Sequence, residues 1–130
     1  MFNDFELRQQ IEDIANQFNI FECVECAEAI KRFLIGRNIN GKHIELSTGS
    51  TEDPFCNIYH DEFRQNISVN GKHEAIAVTI NNGEFIFDNL HPEGVFLRRE
   101  WQKNFYFPGL DMNVDFQIMA LSDRVCQCSQ

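Results

Sequence analysis

The chain has 130 residues, 43% of them hydrophobic, with 13 Phe, a net charge of −9 and a mean hydropathy of −0.35. That length fits one domain around one core. The balance of 11 Lys and Arg against 20 Asp and Glu argues against DNA or RNA as a partner, and no apolar run approaches the roughly 18 residues of a membrane span.

The opening MFNDFELRQQ is polar and mixed in charge. It does not read as a secretory signal, so a soluble, cytoplasmic chain without nucleic acid or membrane partners is expected. The acidic balance permits a basic protein partner and also simply favours solubility. The 5 Cys are an odd number, which points to reduced thiols rather than a disulfide framework.

Residues 4–18 carry Leu7, Ile11, Ile14 and Phe18 at helical spacing, with Asn3 or Asp4 available as a cap. A second helix is expected from Cys23 to about Ile35. Cys23, Ala27, Ile30 and Leu34 form its buried stripe, and Gly36 is the expected stop. GKHIELST reads as a strand opened by His43, a surface candidate. Residues 47–66 are polar and turn-rich and read as one long connection.

HEAIAVTI alternates, with Ile76, Val78 and Ile80 on one face and His73, Ala75 and Ala77 on the other. NNG turns the chain and EFIFDN returns it. GVFLRREWQKNF reads as a short helix with Trp101 against the core. MNVDFQIMA reads as a further strand with Met112, Val114, Phe116 and Ile118 on one face. Residues 122–130, which hold Cys126 and Cys128, read as a tail beyond a single domain over 1–121. Helices followed by an antiparallel sheet make an α+β fold, with the central helix buried against the sheet.

Cys23 and Cys26 stand three apart at the start of the second helix. A zinc clip needs about four N or S ligands, and the tail's Cys-x-Cys is too tight a spacing to complete one. A redox pair would follow a βαβ strand, which is missing here. Cys26 fits a small buried hydrophobe. Cys23 lies in the first turn, where free N–H groups favour a thiolate and could hold a developing oxyanion.

A thiol nucleophile needs a base and a group to orient that base. His73 begins one strand of the hairpin and Asp88 ends the other. A turn centred on Asn81 and Asn82 places them diagonally on one face, whereas one on Asn82 and Gly83 holds them about 13 Å apart. The Asn-Gly dipeptide favours the second register locally. Among other candidates, His91 precedes Pro92 and reads as shaping a turn. Cys56, His60 and Asp61 form a loose set in the long connection.

The motifs CVECAEAIKRFL, NGKHEAIAV and FDNLHPEG, in that order, resemble the papain-fold toxin domains of bacterial polymorphic toxin systems. The resemblance runs from about residue 14 to residue 107. It implies a papain-like fold and a cysteine protease or Gln/Asn deamidase acting on a protein, without metal or organic cofactor. Cys23 takes the nucleophile position, His73 the base and Asp88 the orienter. Gln17, six residues before Cys23, and Asn19 are the implied oxyanion candidates. It further implies a protein substrate in a target cell, delivery as part of a larger secreted toxin, and a cognate immunity protein.

Overall fold

The computed structural model describes residues 3–122. The expected tail, Cys126 and Cys128 included, lies outside them apart from Ser122, which ends the last strand.

Helix α1 spans Asp4–Ala15. The Asn3 side chain accepts from the Glu6 N–H, and the Glu6 carboxylate reaches back to the Asn3 N–H, so both ends of a capping box are present. The helix stops short of the expected residue 18, but Phe18 still packs against the core. Helix α2 spans Cys23–Gly36. Gly36 is inside it, and the left-handed residue that ends it is Asn38, at φ 59°. The N–H of Ile39 then closes on the Leu34 carbonyl at 2.9 Å.

The strands are β1 (Lys42–Ser47), β2 (Ile58–His60), β3 (Gln65–Ser68), β4 (Lys72–Ile80), β5 (Gly83–Asp88), β6 (His91–Phe96), β7 (Phe105–Tyr106) and β8 (Gln117–Ser122), with helix α3 at Arg98–Gln102. Five form a sheet in the order β6-β5-β4-β1-β8, and three form a second in the order β3-β2-β7. All paired neighbours are antiparallel, so the architecture is α+β as expected.

The period-2 pattern of β4 divides the interior. Ile76, Val78 and Ile80 face Ile11, Ile30 and Leu34 of the two long helices. Ala75 and Ala77 face the other way, toward Ile58 of the second sheet, Trp101 of α3 and Phe107. The central strands of the five-stranded sheet are therefore buried on both faces, and His73 belongs to the second one.

The β4–β5 hairpin adopts the register centred on Asn81 and Asn82. Ile80 pairs with Gly83 and Ile76 with Phe87, and both Asn residues have positive φ, 54° and 67°. The two possible registers differ by two residues, so hydrophobic alternation is identical in both. Asn tolerates the left-handed conformation well enough to fill both turn positions. Gly83 is needed elsewhere, because a Cβ there would run into the Phe96 ring.

Four other expectations are corrected. The connection over 47–66 contains β2 and the start of β3, which are too short to show a period but are held because β2 pairs with both β3 and β7. GVF belongs to β6, not to a helix. Pro92 is tolerated there because β6 is an edge strand. Met112 and Val114 are exposed and precede β8, because a 3-10 turn at Pro108–Met112 ends in left-handed Asn113. His43 is buried, its Nε2 lying 2.8 Å from Glu74 Oε1.

Gly94 has φ +85°, and a Cβ on it would lie 2.6 Å from Phe87 Cε2. Gly94→Ala is expected to cost roughly 2 kcal/mol in urea unfolding, since strain and overpacking act together. An unchanged midpoint would show that the Phe87 ring is free to move aside.

Candidate active site

The segment before α2 leaves the helix start open. Glu22, the N-cap, makes no side-chain cap to the helix. Its carboxylate instead accepts from the Asn19 N–H at 2.6 Å. The first-turn N–H groups around Cys23 therefore have no side-chain cap. Phe21 just before them has φ 72°, a costly conformation for a bulky residue. Asn89 Nδ2 donates to the Asn19 carbonyl at 2.7 Å. That bond ties this segment to the turn directly after Asp88.

The two cysteines of α2 differ in setting. Cys23 is half-buried. It lines a cleft of about 180 Å³ with Phe21, Val24, Val69, Lys72 and Glu74 among the walls. Cys26 is fully buried among the residues that join the helices to β4. Burial, then the charges of Asp88 and Cys23, push its thiol up to about 12. A group held that high stays protonated and unreactive near neutral pH.

Asp88 is the most heavily bonded side chain of the site. It is buried and accepts five hydrogen bonds among the described residues. His73 Nε2 donates to Oδ2 at 2.8 Å, and so does the Trp101 indole N–H at 2.9 Å. Oδ1 takes the backbone N–H groups of Leu90 and His91 at 3.0 and 2.7 Å, and His91 Nδ1 at 2.8 Å. The two backbone bonds make an Asx turn, the local reason why the chain reverses at Asp88. Burial alone would raise this carboxyl's pKa, but the bonds from His73 and His91 hold it well below the usual carboxylate range.

His73 is held by Asp88, and Cys23 is near enough to act on its charge. Its ring stacks near Trp101, with centroids 6.0 Å apart, and tilts against Phe105. Burial would lower its pKa. The Asp88 hydrogen bond and the Cys23 thiol outweigh burial and raise it to about 9. Nδ1, the nitrogen not bonded to Asp88, is buried and has no closed hydrogen bond among the described residues. Cys23 is near enough to raise the pKa of this ring, but no closed hydrogen bond joins the two among the described residues.

The remaining candidates fall elsewhere. Gln17 is exposed, and its amide donates back to the Asp13 carbonyl at 3.1 Å. Asn19 is exposed in the segment before Cys23. Cys56 is buried, with its thiol directed at Asn57 Oδ1. Among the described residues no group of three or more His, Cys, Asp or Glu is arranged to hold a metal.

His60 and His91 are brought together, Nε2 to Nε2, at 2.9 Å. The local sequence of neither residue names the other as its partner. The Asp-x-x-His spacing was the available signal for His91, since an Asx turn places residue i+3 against the carboxylate. His60 arrives from the other sheet, and nothing local to it announces the contact.

The family model for papain fold toxin 2 matches residues 6–106. No curated protein and no solved structure matches the chain.

Proposed function

The chain belongs to the papain fold toxin 2 family, and from that premise we propose that it is a cysteine-dependent amide hydrolase or deamidase acting on a protein of a target cell. The observation that carries this reading is the buried Asp88–His73 pair beside the half-buried Cys23 at an open helix start.

In this reading the Cys23 sulfur attacks an amide carbonyl carbon, and the carbonyl oxygen becomes an oxyanion. The first-turn N–H groups of α2 are placed to receive that charge. Asn19 is a further donor candidate. Gln17 would first have to leave the Asp13 carbonyl. The C–N bond breaks as the His73 imidazolium gives its proton to the departing nitrogen. Water, deprotonated by the now neutral His73, hydrolyses the thioester and releases the Cys23 thiolate. Asp88 keeps the imidazole oriented and stabilises its charged form. A peptide bond in the cleft gives proteolysis, and a Gln or Asn side chain gives ammonia and an acid. An amine in place of water would give a crosslink. None of these steps calls for a metal or an organic cofactor.

The same reading includes a protein substrate in a target cell and a cognate immunity protein as partner. Among the described residues no helix is long and apolar enough to cross a membrane.

The test is iodoacetamide labelling from pH 4 to 9, with each cysteine read by mass spectrometry, in the wild type and in His73→Ala. Cys23 is expected to label well below pH 8 and Cys26 not to label in the folded protein. His73→Ala should slow Cys23 about tenfold or more near pH 6. Slow labelling that rises only near pH 8.5 and ignores His73 would instead favour a papain-like protein that binds a partner without catalysis.

A further inference from the structure

The hydrogen bonds behind Asp88 have a direction. The Phe63 N–H donates to His60 Nδ1 at 3.2 Å. A ring nitrogen that accepts carries no proton, so a neutral His60 holds its proton on Nε2. That nitrogen lies 2.9 Å from His91 Nε2, and one of the two must accept. His60 donates, so His91 keeps its own proton on Nδ1. His91 Nδ1 lies 2.8 Å from Asp88 Oδ1. Three bonds thus run one way, from a backbone amide to the carboxylate.

We propose that His60 and His91 are positioning residues of the site: their hydrogen-bond chain from the Phe63 amide keeps His91 neutral and leaves the charge of Asp88 to His73. The proposal rests on the Cys23, His73 and Asp88 reading above. A proton added to His91 Nε2 would set two N–H groups head to head and break the bond to His60. It would also place an imidazolium on Asp88 in competition with the one on His73.

The surroundings favour the neutral chain. His60 and His91 are buried. Phe63 stacks on the His60 ring at 4.1 Å, and Phe105 meets both rings edge-on. Burial and then His91 lower the pKa of His60, against the opposite pull of Asp88, Glu62 and Asp61. From β4, His73 faces the same carboxylate, and from α2 Cys23 acts on His73. Asp88, Asp61 and Glu62 are the anions of this cluster, and of these Asp88 bonds directly to a ring of the chain.

The test begins with the imidazole ¹⁵N spectrum of the wild type between pH 5 and 8. His91 is expected as one neutral tautomer protonated on Nδ1, and His60 as one protonated on Nε2. His60→Phe removes the donor while keeping a ring beside Phe63. In that variant no N–H opposes a proton on His91 Nε2, and at the acidic end of the range Cys23 labelling by iodoacetamide should slow about tenfold relative to the wild type, the effect of a neighbouring charge on His73. His60→Gln, whose amide can accept from Phe63 and donate to His91, should restore the wild-type profile.

A wild-type His91 protonated on Nε2, or cationic at pH 7, would overturn the proposal. So would a folded His60→Phe with an unchanged labelling profile. Should His60→Phe fail to fold in a thermal melt, the wild-type tautomers and His60→Gln decide. If wild-type Cys23 labelling ignores His73, the catalytic reading fails, while the His91 tautomer still reports on the chain by itself.

Discussion

Asp88→Asn is expected to remove about 3 to 5 kcal/mol of stability at pH 6, the cost of taking one partner from a buried ion pair. The substitution keeps the shape and changes one oxygen into an NH₂ donor. If that group replaces Oδ2, it meets the His73 and Trp101 N–H groups. If it replaces Oδ1, it meets two backbone N–H groups and His91. Either way buried donors face a donor, and His73 loses its counter-charge. Against a total stability of roughly 5 to 15 kcal/mol, the variant is expected to be marginal at 37 °C.

The effect depends on pH in a stated direction. Asp88 is held low, so its stabilisation is present above about pH 4 and is lost as pH falls through its lower folded value. His73 is raised to about 9, so its stabilisation is complete below about pH 6.5 and is lost as pH rises through about 9. These are one interaction seen from two ends and count once. The difference between wild type and variant in urea unfolding should be largest between about pH 4 and 6.5 and shrink toward pH 9. A loss below about 1 kcal/mol at pH 6 would mean that water, rather than this carboxylate, satisfies the donors.

Cys23→Ala is expected to lower amide turnover by at least about 10³-fold, since the proposed covalent route then has no nucleophile. The Asp88–His73 pair stays intact, so the fold should not change. Turnover would be followed as ammonia and new protein N-termini formed in a whole-cell protein extract, read by mass spectrometry. Wild-type turnover should fall on the alkaline side near pH 9, where the His73 imidazolium is lost. Labelling of Cys23 should not fall there, because alkylation needs the thiolate alone. Equal product from wild type and Cys23→Ala would remove the thiol mechanism and leave the fold to a binding role.

The separation of these two effects follows from how the residues are held. Cys23 is part of a helix start on one layer, and Asp88 is locked by groups from β4, β6 and α3. In the proposed reaction, removing the sulfur takes away the nucleophile. Removing the carboxylate costs the fold first and the chemistry through it.

Local period and position are enough for part of this fold. The spacing of Leu7 and Ile11, and of Ala27, Ile30 and Leu34, required two helices with one apolar face each. The alternation of β4 required that Ile76, Val78 and Ile80 share one face and His73 the other. Local position also placed Cys23 in a first helical turn and Asp88 at the end of a strand.

Tertiary structure alone decided the pairings. A hairpin slip of two residues leaves every side chain on its own face, so no periodicity could choose between the registers. The close approach of Phe96 to Gly83 belongs to one of them. Strands β2, β3 and β7 are too short to announce themselves and exist because they pair with one another. Strand β6 carries Pro92, which reads locally as a turn, and Gly94, which reads as the start of a helix, yet an edge position and the Phe87 ring accept both. The Phe63–His60–His91 chain joins residues about thirty apart through three-dimensional contact. A buried carboxylate must find its donors wherever the fold brings them, and that requirement leaves no trace in local spacing.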